Sequence, residues 1–230
     1  MRPAPIPAIL NSRGGTAAAA VPILAADDRF ELHEVEPAEL QDAIRAVVAS
    51  GARRVLVCGG DGSIASAAAV VVNTGVALAV LPGGTLNHFA RDHGIPFDPA
   101  EALDTAAGEA TRPVDVGFVN GRLFLNTSSV GAYVSFVRIR ERLERWLGYR
   151  SASAIAALRL LMRLPGHSLA IELEDGIQHY HTALVFIGVG ERDLAMPLLG
   201  SRVQGGRGGL HALVVSGRAP ARILVAPDPR

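Results

Sequence analysis

The sequence contains no lysine; all 22 of its basic residues are arginine. A Walker-A loop needs a lysine on the phosphates, protein kinases need one on a strand, and pyridoxal-phosphate enzymes need one to form a Schiff base. Those three classes are excluded. Cysteine occurs once, as Cys58 in an apolar run, so there is no disulfide framework. Acids balance bases and the formal net charge is zero, which speaks against a general nucleic-acid binder. No apolar run reaches the ~20 residues of a membrane span. Met1 to Pro7 holds three prolines and no apolar centre of a signal peptide. A soluble, cytoplasmic chain is the expectation. A Gly-x-Gly-x-x-Gly after the first strand is also missing, which weakens a dinucleotide dehydrogenase reading.

Against these absences stand two glycine-rich stretches of the same design. Val55 to Cys58 is short, apolar and largely β-branched, as in a strand buried on both faces of a parallel sheet. It stops in Gly59-Gly60-Asp61-Gly62, and Ser63 then opens a run of small, helix-compatible residues. Glycine takes φ > 0 and lets a ligand lie against the backbone. Ser63 is placed to cap the following helix, whose free N–H groups make an anion site. Asp61 adds a carboxylate suited to a magnesium ion or a nucleotide hydroxyl. Ala77 to Leu81 repeats the apolar strand, followed by Pro82-Gly83-Gly84-Thr85-Leu86-Asn87 and a second helix. Two such turns at one sheet edge are hard to explain by packing alone.

Gly59 to Ser63, together with Leu81-Pro82-Gly83-Gly84-Thr85-Leu86-Asn87-His88-Phe89-Ala90-Arg91-Asp92-His93-Gly94-Ile95-Pro96, resembles the catalytic domain of the diacylglycerol kinase and sphingosine kinase group. The bacterial lipid kinases, which share a fold with NAD kinases, are the nearest pattern. The resemblance implies an α/β, NAD kinase/diacylglycerol kinase-like fold. A Rossmann-like parallel-sheet nucleotide domain over 1–114 would precede a second, mostly β lipid domain over 115–230. That second domain is expected to carry a helical insertion at about 138–164 and to be C-terminally incomplete relative to the family. By resemblance the two turns cradle the phosphates of ATP, with Mg2+. The implied nucleotide-binding residues are Asn11, Gly14, Gly59, Gly60, Asp61, Gly62, Ser63, Gly83, Gly84, Thr85 and Asn87. Asp61 is also the catalytic candidate. The implied reaction is phosphoryl transfer from ATP to the hydroxyl of a diacylglycerol-like lipid.

The remaining chain supplies the expected elements. Ala8 to Leu10 reads as a first strand, Phe30 to Val35 as a second, and Pro37 to Ser50 as a helix ended by Gly51. Asp98 starts a short helix, and Arg112 to Val119 reads as a strand. Arg122 onward reads as a strand, with a polar turn up to Gly131. The helical pair after it carries Arg138, Arg140, Arg142, Arg145, Arg150, Arg159 and Arg163 against Glu141 and Glu144. Apolar residues between these arginines suit docking on an anionic membrane, and a solvated amphipathic helix is the alternative. Ser168 to Glu174 and His179 to Val189 read as strands around Asp175-Gly176. His179 and His181 share a face as surface residues, without a third metal ligand.

The family uses an acid before a late strand to hold a metal and a further carboxylate as base. Here Gly205-Gly206-Arg207-Gly208-Gly209 stands before that strand, and Asp228 is the only acid beyond Asp193. This motivates a second reading, a nucleotide-binding pseudokinase or regulatory module. A third, NAD kinase, meets the absence of an Asn-Glu pair: Ala65-Ser66-Ala67 occupies that region.

Overall fold

The structure is a computed structural model, and it describes residues 4–12, 17–162, 166–173, 176–193, 202–203, 205–216 and 219–224. The chain divides into two compact units, Met1–Val114 with Phe118–Leu125, and Asp115–Gly117 with Asn126–Arg230.

The first unit is built on four strands: β1 (Ile6–Asn11), β2 (Phe30–Val35), β3 (Arg54–Gly59) and β4 (Ala77–Pro82). All pair in parallel, in the order β2-β1-β3-β4. Helices α1 (Val21–Ala25), α2 (Leu40–Ala49), α3 (Asp61–Val71), α4 (His88–Asp92) and α5 (Pro99–Ala107) connect and cover them. Successive strand residues face opposite sides. Ala8, Leu10, Leu56, Cys58 and Leu81 therefore share a core with Leu24 of α1 and Leu103 of α5. Ile9 and Val57 alternate to the other face, where α2 packs on β1 and α3 on β3. Val55 to Cys58 is buried on both faces, which is why it is an unbroken apolar run.

This topology decides where a ligand can go. From β1 the chain turns outward to β2, then returns across β1 to form β3 and continues to β4. Connections leaving β1 and β3 diverge, which opens a crevice at the carboxyl ends of those two strands. Register brings Asn11, Gly59 and Pro82 to that same edge.

Some boundaries differ from expectation. α2 begins at Leu40, because Pro37 sits in the preceding turn. Gly51 at φ +80° closes it as predicted, its N–H donating to the Val48 carbonyl at 3.2 Å. Asp98 caps α5, accepting from the Ala100 and Glu101 N–H groups. Of the expected strand 112–119 only β5 (Gly117–Val119) forms, paired with β6 (Arg122–Phe124). Asn120 (φ +49°) and Gly121 (φ +74°) make the two-residue turn between them.

The second unit is mostly β. Its sheet runs β12-β11-β10-β7, antiparallel throughout, with β7 (Thr127–Gly131), β10 (Leu184–Val189), β11 (Leu210–Ser216) and β12 (Ala219–Leu224). Thr127 to Gly131, expected as a turn, is a strand because it pairs with Leu184–Gly188 of β10. β8 (His167–Leu173) and β9 (Gly176–Thr182) form a hairpin. The run expected to continue from His179 to Val189 breaks at Thr182, whose hydroxyl accepts from the Leu184 N–H at 3.1 Å. His179 and His181 are exposed on β9.

One long helical segment, α6 (Ala132–Met162), follows β7 and starts earlier than the insertion predicted at 138–164. Gly148 (φ 71°, ψ 164°) divides it into the expected pair. Ala152 and Ala156 are fully buried in its second half. Arg163 lies outside the described residues. Among those described, no helix is long and apolar enough to cross a membrane.

Candidate active site at the paired glycine loops

The loops leaving β3 and β4 touch backbone to backbone. Beyond the Gly59–Pro82 pair of the ladder, the Gly83 N–H donates to the Gly59 carbonyl at 2.9 Å. A Cβ built on Gly84 would lie 2.5 Å from the Gly60 Cα, and one on Gly60 would lie 3.2 Å from the Gly84 Cα. At Gly59 a Cβ would meet the Ser63 Cβ at 2.7 Å. None of these three glycines has positive φ. The expectation that they serve the left-handed region is therefore corrected: Gly60 and Gly84 supply room for two loops to meet, and Gly59 supplies room for Ser63.

Asp61 ties the loops together. It is the first residue of α3, and its two carboxylate oxygens accept from the first N–H groups of α4. The His88 N–H reaches Oδ2 at 3.0 Å and the Phe89 N–H reaches Oδ1 at 2.9 Å. Asn87, in the left-handed region at φ +47°, closes the second loop on itself. Its Oδ1 accepts from the Gly84 N–H at 2.8 Å while Nδ2 donates to the Gly84 carbonyl at 2.7 Å. The amides of Gly83 and Gly84 are thus engaged within the protein.

Asn11, at the end of β1, reaches across the crevice, donating from Nδ2 to the Ser63 Oγ at 3.0 Å. Ser63 was expected to cap the helix. It does not: α3 begins at Asp61 with Gly60 as its N-cap, and Ser63 is buried in the first turn. The first intrahelical bond runs from the Ile64 N–H to the Gly60 carbonyl. The three preceding N–H groups, of Asp61, Gly62 and Ser63, have no acceptor within the helix. Gly62 is exposed, and a Cβ built on it meets nothing within 4 Å. Thr85 is also exposed. Gly14 lies outside the described residues. The structure therefore joins Asn11, Gly59, Gly60, Asp61, Ser63, Gly83, Gly84 and Asn87 by direct contacts and leaves Gly62 and Thr85 open to solvent.

This donor set suits an anion. Magnesium in phosphoryl-transfer sites uses one or two carboxylates, with phosphate and water completing the shell. Each Asp61 oxygen accepts one N–H and keeps a lone pair for a cation. No cluster of three or more His, Cys, Asp or Glu arranged for a metal occurs among the described residues. The residues fit a magnesium ion that arrives with phosphates, and do not fit a cage made of protein alone. Cys58, beneath the loop, has its thiol pushed up to about 12 by burial and offers no nucleophile.

Two further acids stand in the second unit; sequence reasoning missed Asp115 and left open whether Glu191 replaces the missing base. Glu191 Oε2 accepts from the Arg207 N–H at 3.1 Å, and Asp115 Oδ2 accepts from the Gly209 N–H at 3.0 Å. Both carboxylates hold the glycine loop before β11. Beside them Arg192 is buried, donating from Nε and Nη2 to the Val189 carbonyl at 3.0 and 2.7 Å. A Cβ on Gly188 would lie 2.4 Å from its Cγ. The alternating Gly188-Val189-Gly190 was the available signal for a large side chain packed there. Asp228 lies outside the described residues.

A doubly wound parallel sheet with touching glycine loops at its edge, followed by a mostly β unit, defines the diacylglycerol kinase-like class of α/β proteins. Residues 7–119, nearly all of the first unit, match the family model of the diacylglycerol kinase catalytic domain, and that stretch belongs to the family. It is 34% identical over 160 residues to the Pseudomonas fluorescens (strain Pf-5) protein named probable lipid kinase YegS-like, covering 67% of this chain and 52% of that one. The Pseudomonas putida (strain KT2440) protein of the same name is 31% identical over 199 residues, 84% of this chain and 63% of that one. The chain thus spans about half to just under two thirds of the length of these relatives. The crystal structure of a diacylglycerol kinase from Bacillus anthracis str. Sterne superposes with a TM-score of 0.66 at 21% identity, over 94% of this chain and 74% of that one. A second B. anthracis structure gives 0.67 at 26% identity, over 93% and 76%. These likenesses agree with the fold described above.

Proposed function

We propose that this chain is the ATP-dependent phosphotransferase of a lipid kinase, moving a phosphoryl group from ATP-Mg2+ to the hydroxyl of a diacylglycerol-like lipid. The observation that carries the proposal is the clamp: Gly60 against Gly84, with Asp61 bonded across to α4. It puts the open first turn of α3 at the crevice where doubly wound sheets take ligands. In this reading the N–H groups of Asp61, Gly62 and Ser63 hold phosphate oxygens, and Asn11 orients Ser63 from the far side. Asp61 would hold the magnesium ion, which spreads the negative charge of the transferring group when bound. The second unit presents the lipid, and the arginines of α6 bring the protein to an anionic membrane, a peripheral placement at the inner face. Family membership supports the lipid kinase reading, and the names of the Pseudomonas relatives point the same way.

The assay is direct. ATP and Mg2+ with mixed micelles of diacylglycerol should yield phosphatidic acid; no product at saturating nucleotide would refute the proposal. The second reading, a nucleotide-binding module without turnover, draws on the engagement of Asp61, Glu191 and Asp115 with backbone N–H groups. Nucleotide binding without product would favour it. NADP formation from NAD would instead favour the NAD kinase alternative.

A further inference from the structure

The break in α6 exposes the largest apolar side chain of the protein. Trp146 is 85% exposed and Tyr149 60%, on either side of Gly148, and Leu147 is 47% exposed. Arg138, Arg142 and Arg145 are exposed on the helical stretch leading to this bend. At spacings of four and seven residues they lie on one helical face, and Trp146, four beyond Arg142, continues it. The opposite face, Phe136, Arg140, Leu143 and Glu144, is half-buried. Arg140 lies within 3.8 Å of Glu141, within 3.6 Å of Glu144 and over the ring of Tyr149 at 5.3 Å. Glu141 and Glu144 are the only acids between Ala132 and Met162, and both stand beside Arg140; among the described residues no ion pair joins Arg138, Arg142 or Arg145 to an acid.

We infer that the bend at Gly148 is a membrane-insertion tip, with Trp146 and Tyr149 entering the headgroup region of an anionic bilayer while Arg138, Arg142 and Arg145 hold its phosphates. The inference rests on the lipid kinase reading for its purpose but not for its test. An indole has an apolar body and one N–H donor, so it is most at home where hydrocarbon meets water. A purely apolar tip would suit another protein equally well. An aromatic bend beside an exposed cationic stripe matches a surface that is apolar beneath and negative above.

Trp146 is the only tryptophan in the chain, so intrinsic fluorescence reports on the tip alone. Vesicles containing phosphatidylglycerol should shift its emission to the blue, and bromine-labelled acyl chains should quench it; phosphatidylcholine vesicles should do neither. Each arginine near a membrane surface strengthens binding about fivefold, so R142A/R145A should weaken the vesicle partition about 25-fold at low salt. The same variant should phosphorylate a dispersed short-chain diacylglycerol as well as the parent does, while losing activity on vesicles. Unchanged Trp146 emission on anionic vesicles, or emission changes that track protein concentration without lipid, would overturn the tip assignment. If no lipid is phosphorylated in any form, the kinase reading falls, and the fluorescence result decides the tip separately.

Discussion

At Gly62 and Gly84 the same residue type does two different jobs, and substitution separates them. Gly84→Ala forces a methyl to within 2.5 Å of the Gly60 Cα, which is backbone, and 2.9 Å of the Asn87 Oδ1. A cost of about 1–3 kcal/mol is expected, measured by urea unfolding. Gly62→Ala adds a methyl to open space in a helix first turn, so stability should hold or rise by about 0.4–1 kcal/mol. Nucleotide affinity should nonetheless fall if phosphate sits on that turn; unchanged ATP binding would remove Gly62 from the site. Asp61→Asn tests the clamp. An asparagine oxygen can accept one of the two α4 N–H groups but its NH2 cannot accept the other, at a cost of about 1–2 kcal/mol. Loss of stability and of magnesium-dependent nucleotide binding together is the expected result. The sequence marked all these residues as special, since glycines and an acid stood between an apolar run and a helix. Which glycine meets backbone and which meets solvent depended on the partner loop, so it was not legible.

Among the elements, the short helix α4 depends on another part of the chain. Five residues long, it is capped by a carboxylate from the preceding βα turn, with Asn87 beside it closing the loop. Local sequence could not reveal that cap, because a whole helix and a strand, α3 and β4, separate Asp61 from His88. The Asn120-Gly121 dipeptide carries a hairpin signal that the sequence reading passed over, and the run 112–119 was read as one strand. Its β-branched residues and its proline carry no signal of where pairing begins. Thr127 to Ser129 look like a turn by composition and became β7 by pairing. Between β2 and α5 the tie is ionic: Arg29 donates to Asp27 at 2.6 Å and to Asp104 at 2.8 Å. The Arg29 side-chain hydrogen bond holds the Asp27 carboxyl below its ordinary value of 3.8. A folded pKa lower than the unfolded one means the stabilisation is in place above pH 3.8 and is lost as pH falls through the lowered value. Because Arg29 is 44% exposed, its size is about 0–1 kcal/mol. Asp27→Asn should therefore lower stability by about 0–1 kcal/mol at neutral pH, flatten the acid limb of the stability–pH curve and converge with the parent below the lowered value, as followed by urea midpoints.

For the molecule as a whole, nucleotide binding should appear as stability even before any turnover is measured. ATP at one hundred times its dissociation constant adds about 2.7 kcal/mol to whatever unfolds with the site. An apparent melting temperature that ignores ATP-Mg2+ would contradict the proposed nucleotide site. The chain's pattern alone determined the class of its first unit: apolar runs of strand length alternating with helices and ended by glycine can bury themselves only as a parallel sheet covered on both faces. It also determined where phosphate was expected, since glycine loops follow the third and fourth strands. The tertiary structure alone decided how those loops work. Strand order β2-β1-β3-β4 put Asn11 within reach of Ser63, brought Gly60 onto Gly84 and turned Asp61 toward α4. Those contacts join residues far apart in the chain, and no local preference encodes a meeting whose geometry is set by the order and register of strands.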